Sequence, residues 1–111
     1  MNEDIKKRIN ELLEKNDVCL FMKGTPDVPQ CGFSLAVSNV LKHLNVNFKG
    51  INVLEDNDIR EGIKVFSDWP TIPQLYIKKE FIGGCDIVKE MFEKKELQSK
   101  FSENNISFAN K

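Results

Sequence analysis

The chain has 111 residues, 41% apolar and 30% charged; against about 150 residues for a typical domain, that predicts a single domain spanning 1–111 around one core. Sixteen basic and seventeen acidic residues leave a net charge of −1, which excludes nucleic-acid binding through a strongly basic surface and gives no electrostatic reason to attach to an anionic membrane. The longest unbroken apolar run, Val18 to Met22, has five residues, far short of the roughly 20 that a membrane-spanning helix needs.

Ile5, Ile9, Leu12 and Leu13 recur at helical spacing and predict a first helix. Val18-Cys19-Leu20-Phe21-Met22 reads as a buried central strand. Gly24, Pro26 and Pro29 make the segment from Lys23 to Gln30 a loop. A second helix follows from Gly32, with Phe33, Val37, Val40, Leu41 and Leu44 as its apolar repeat, and then a second strand over Phe48 to Val53. Asp56, Asn57 and Asp58 supply N-cap chemistry for a third helix that buries Ile59, Ile63 and Phe66, although Gly62 weakens it. Leu75-Tyr76-Ile77 and Phe81-Ile82 form a hairpin across Lys78-Lys79-Glu80 and end at Gly83-Gly84. A last helical region starts near Asp86, and the core runs over about 5–101 with a polar, frayed tail beyond. The order α-β-α-β-α-β-β-α implies an α/β fold, a mixed four-stranded sheet flanked by helices in a thioredoxin-like arrangement.

Cys31 follows a strand and a proline-containing loop and sits immediately before a helix, where free N–H groups and the helix dipole favour thiolate over thiol. Lys23 adds a positive charge at the end of the strand. Cys31-Gly32-Phe33-Ser34 has the spacing of a Cys-x-x-Cys redox motif, but Ser34 cannot close a disulfide with Cys31. A redox cycle there needs an outside thiol or a cysteine elsewhere in the chain. Cys19, inside the apolar strand, reads as an inert core residue. Cys85, after two glycines, is either a resolving thiol for Cys31 or a small residue where a ligand approaches the backbone. Three cysteines are an odd count, too sparse for a disulfide scaffold, and with His43 they lack the paired knuckles of a zinc site. Trp69-Pro70-Thr71-Ile72-Pro73 is compatible with a cis peptide before Pro73, which would turn the Ile72 backbone towards an extended peptide ligand; an ordinary turn is the alternative. Lys23, Arg60 and Asp86 stand at three element ends, and two cations beside a helix N-terminus suit a small ligand with carboxylates at its ends.

Lys23-Gly24-Thr25-Pro26, Pro29 and Cys31-Gly32-Phe33-Ser34 resemble the active loop of the monothiol glutaredoxins of the Cys-Gly-Phe-Ser class. The resemblance continues through Arg60, Lys64, the run Trp69 to Tyr76, and Gly83-Gly84-Cys85-Asp86-Ile87, covering about 5–97. Lys78-Lys79 departs from it, standing where a Gly-containing turn is common. The resemblance implies a thioredoxin fold that binds glutathione. Lys23 and Arg60 would hold the glycine carboxylate, Ile72 before Pro73 would pair with the cysteinyl backbone, and Cys85 and Asp86 would hold the γ-glutamyl end. Cys31 would be the catalytic thiol and the metal ligand of a [2Fe–2S] cluster shared between two subunits. Such a cluster takes four thiolates, which two copies of Cys31 and two glutathione thiols supply.

The function this implies is glutathione-dependent cluster binding by a homodimer and transfer to iron–sulfur acceptor proteins, with BolA-like proteins as further partners. The alternative is an enzyme, a monothiol glutathione-disulfide oxidoreductase. The acidic start Met1-Asn2-Glu3-Asp4 argues against a secretory signal or transit peptide. The expected setting is therefore intracellular and reducing: the cytoplasm, or a mitochondrial or plastid matrix if a presequence has been removed.

Overall fold

The computed structural model describes residues 1–109. Helix α1 (Glu3–Lys15) begins at Asn2, whose side chain accepts the Asp4 and Ile5 N–H groups at 2.7 and 3.4 Å. Strand β1 (Val18–Met22) is buried along its whole length, which is why it reads as an unbroken apolar run. Helix α2 (Gly32–His43) crosses over to β2 (Lys49–Asn52), and β2 pairs parallel to β1. A 3-10 turn over Val53–Glu55 leads into α3 (Asn57–Ser67), capped by the Asp56 carboxylate on the Ile59 N–H at 3.2 Å. Strands β3 (Gln74–Ile77) and β4 (Glu80–Gly83) form the hairpin, followed by α4 (Cys85–Glu93) and α5 (Glu96–Glu103). The sheet order is β2-β1-β3-β4, with β3 antiparallel to both β1 and β4.

Alternation along β1 divides the core in two. Val18, Leu20 and Met22 face α2, α4 and α5 with Val37, Leu41, Val88, Leu97 and Phe101. Cys19 and Phe21 face α1 and α3 with Ile9, Leu13, Ile59, Ile63 and Tyr76. This is the three-layer, mixed-sheet arrangement expected from the element order. Gly62 is where α3 meets α1: a Cβ there would lie 2.5 Å from Ile5 Cγ2, so close packing outweighs its poor helix propensity.

Several boundaries differ from the sequence reading. Phe48 precedes β2, and Val53 falls outside it because Asn52 caps the 3-10 turn by accepting the Leu54 N–H at 3.0 Å. Phe33 is 61% exposed and belongs to no core, although Ser34 beside it in the first turn of α2 is completely buried. The last helical region is two helices, broken at Lys95 with φ +66°. Glu80 belongs to β4, leaving Lys78 and Lys79 as a two-residue turn at φ +49° and +71°. Residues 102–109 are not frayed: Ile106 and Phe108 pack on the core, and the Ala109 N–H reaches the Leu44 carbonyl at 2.6 Å; the last two residues of the expected tail lie outside the described residues.

Candidate functional site

Cys31 is the N-cap residue of α2, in extended conformation at φ −154°, ψ 138°, and is partly exposed. Its thiol is held below the usual 9.0, first by the Ser34 N–H and then by the Phe33 N–H, the Lys23 charge and the Ser34 hydroxyl, against a smaller burial penalty. Ser34 is completely buried, and its Oγ accepts the Lys23 N–H at 3.0 Å. The residue in the second redox position therefore ties the end of β1 to the first turn of α2.

The loop between them is itself ordered by hydrogen bonds. Thr25 and Val28 exchange backbone bonds at 3.2 and 3.1 Å, and the Gln30 N–H donates to the Lys23 carbonyl at 2.9 Å. Gly24 sits at φ +90°, with space for a Cβ closed by the Val28 carbonyl at 2.5 Å. Its N–H donates to Asn52 Oδ1 at 2.9 Å, and Lys42 Nζ donates to the Pro26 carbonyl. Pro26 lies flat on Gly50, where a Cβ would come within 2.5 Å of its ring.

A cavity of about 710 Å³ opens beside Cys31. Lys23, Cys31, Arg60, Ile72, Pro73, Cys85 and Asp86, the residues singled out in the sequence, all line it. The Ile72–Pro73 peptide is cis. Arg60 and Lys64 reach the cavity from one face of α3, and Lys64 also pairs with Glu61 at 3.2 Å. Arg60 Nε and Trp69 Nε1 are buried donors with no acceptor among the described residues. Cys85 and Asp86 begin α4 and also line the cavity, after Gly84, where a Cβ would lie 3.3 Å from the Pro73 carbonyl. The cavity lining thus combines the cations Lys23, Arg60 and Lys64, the Asp86 carboxylate, and a thiol biased towards thiolate.

The three thiols differ. Burial pushes Cys85 up, aided by Asp86 and by the Cys31 thiolate, while Lys89 works against the rise. Burial pushes Cys19 up to about 11, and its Sγ–H donates to the Leu12 and Asn16 carbonyls at 3.4 and 3.5 Å. His43 lies away from all three, exposed and edge-on to Phe92 at 5.7 Å. Among the described residues no group of three or more His, Cys, Asp and Glu could hold a metal ion. No helix there is long and apolar enough to cross a membrane.

Phe33, Trp69 and Lys64 also line the cavity, and the residue-by-residue reading gave them no role there. The signal for Lys64 was available: it stands one helical turn after Arg60, on the same face. Phe33 carried a misleading signal, since its spacing to Val37 fits an apolar stripe.

The family model described as glutaredoxin matches residues 18–82. Over 102 residues the chain is 54% identical to monothiol glutaredoxin-S11 of Oryza sativa subsp. japonica, covering 92% of this chain but 21% of that protein. It therefore spans about a fifth of that relative's length. It is 55% identical over 92 residues to the probable monothiol glutaredoxin 2 of Rickettsia typhi, covering 83% of each. The solution structure of reduced poplar apo GrxS14 superposes with a TM-score of 0.81 at 47% identity, covering 90% of this chain and 92% of that one. With its Cys31-Gly32-Phe33-Ser34 turn at the head of α2 and relatives of this closeness, the chain belongs to the glutaredoxin family, alongside the monothiol members.

Proposed function

We propose that this chain binds glutathione in the cavity beside Cys31 and, as a pair of copies, takes up a [2Fe–2S] cluster and passes it to iron–sulfur acceptor proteins. The observation that carries the proposal is the inequality of the three thiols. Only Cys31 both lines the cavity and is biased towards thiolate; Cys85 and Cys19 are biased the other way. One such thiolate per chain is too few for a cluster that takes four. Two copies of Cys31 with two glutathione thiols make up the number, and they do so without a fixed cage of protein ligands. A cargo half-held by exchangeable small thiols is easily handed on.

The cavity's charges suit glutathione from end to end. Lys23 and Arg60, with Lys64 behind them, offer cations to the glycine carboxylate. The Ile72 backbone, before Pro73, offers its polar groups to the cysteinyl unit. The Cys85 N–H at the start of α4 and the Asp86 carboxylate offer an acceptor-and-donor pair to the γ-glutamyl end. On this reading Lys64→Gln weakens glutathione binding about threefold to tenfold, and more at low salt than at high. The setting proposed is a reducing intracellular compartment, with BolA-like proteins as further partners.

A second reading is favoured by the same lowered thiol, which is also that of a nucleophile. Cys31 thiolate would attack the glutathione sulfur of a mixed disulfide, releasing the protein thiol and forming Cys31–glutathione. A second glutathione would then release oxidised glutathione and restore Cys31. Two assays on one preparation separate the readings. Loaded protein should transfer its cluster to an apo-ferredoxin while turning over glutathionylated substrate slowly; fast turnover without transfer would establish the oxidoreductase instead.

A further inference from the structure

Gln74 opens the central strand β3 and is completely buried, yet it does not line the cavity. A buried amide costs free energy unless its donors and acceptor are paired. Here they are. Gln74 Nε2 donates to the Trp69 carbonyl at 3.1 Å and to the Thr71 carbonyl at 3.2 Å. Gln74 Oε1 accepts the Tyr76 hydroxyl at 3.2 Å. The amide's orientation is forced by chemistry, because two carbonyl oxygens can face only the NH₂ end. Tyr76 is itself fixed, 1% exposed and packed edge-on to Phe21 at 5.5 Å. Both carbonyls held by Gln74 belong to the segment 69–73, which forms one wall of the cavity. At its far end the same segment is tied by the Trp69 N–H to the Lys64 carbonyl at 3.0 Å.

We propose that Gln74 is a positioning residue: its buried amide, oriented by the Tyr76 hydroxyl, clamps the 69–73 wall in the shape that accepts glutathione. The ligand in this statement rests on the function proposed above. Among the described residues no other side chain bonds the Trp69 and Thr71 carbonyls, so the clamp has no substitute.

The test uses the whole chain and three variants, read by NMR. In Gln74→Met the Trp69 amide of the unliganded protein, bonded to the Lys64 carbonyl, should exchange about tenfold faster than in wild type, with Leu20 and Phe21 in β1 unchanged. Glutathione should bind that variant about tenfold more weakly. Tyr76→Phe, which keeps the ring and loses only the hydroxyl, should weaken binding about threefold. Gln74→Glu adds a pH signature: its carboxylate cannot donate, but once protonated it regains one donor. The ratio of its affinity to wild type should therefore rise as pH falls from 8 to about 5.5, because burial raises the carboxyl's pKa. Wild-type exchange and affinity in Gln74→Met would overturn the proposal, as would a lowered melting temperature with unchanged affinity. If wild type itself fails to bind glutathione, the functional reading falls, while exchange at Trp69 still decides whether Gln74 holds the wall.

Discussion

The Lys23 N–H donates to the Ser34 hydroxyl across 3.0 Å, joining the end of β1 to the first turn of α2, which Cys31 opens. Serine in this position contributes more than the absence of a second thiol. Its hydroxyl ties the Lys23 backbone to the turn that carries Cys31 and adds a small lowering of the Cys31 pKa, whose first cause is the N–H of the same residue. A cysteine would offer a longer, weaker acceptor to the same N–H.

Alkylation should therefore rank the thiols. Cys31 reacts first, with its rate inflecting below the ordinary 9.0, because lowering the pKa raises the thiolate fraction at neutral pH. Cys85 follows at higher pH, and Cys19 is protected until the protein unfolds. Ser34→Ala should move the Cys31 inflection upward only in part, since the Ser34 N–H remains. Mass spectrometry of iodoacetamide-treated protein across a pH series reads all three.

The Lys78–Lys79 turn holds two side-chain-bearing residues at positive φ, a conformation that glycine adopts without steric cost. Each lysine makes an exposed ion pair, with Asp17 at 3.3 Å and Glu14 at 3.5 Å, and such pairs contribute little. Lys79→Gly should stabilise the fold by about 0.5–1 kcal/mol, raising the urea midpoint while leaving Cys31 reactivity unchanged.

Phe108 rests against Phe101 with ring centroids 6.1 Å apart, and Ile106 packs beside it. Phe108→Ala should lower stability by about 1–2 kcal/mol, the worth of a partly buried aromatic side chain. A urea melt unchanged by this substitution would restore the sequence-based picture of a loose tail.

That tail shows where the sequence ran out. Ile106 and Phe108 stand among asparagines and serines, with no periodicity to mark them, and only the Phe101 surface gives them a reason to fold back. The long elements were legible because burial matched a simple repeat: β1 buried on both faces, α1 and α3 on one. Phe33 obeyed the helical repeat of α2 and still lies exposed, on the lining of the cavity rather than in the core. In the site, Cys31, Lys23, Arg60 and Asp86 were legible as charges and a thiol at element ends. Gln74 was not, because a buried amide in a strand declares itself only when the carbonyls it serves are seen.

The central claim is that Cys31 is a ligand shared with glutathione across two copies. Anaerobic reconstitution with iron, sulfide and glutathione, read by visible absorption and native mass spectrometry, tests it most directly. Wild type should yield a coloured dimer carrying one [2Fe–2S] cluster and two glutathiones, and Cys31→Ser none. A colourless monomer, or a cluster that assembles equally well in Cys31→Ser, would contradict it.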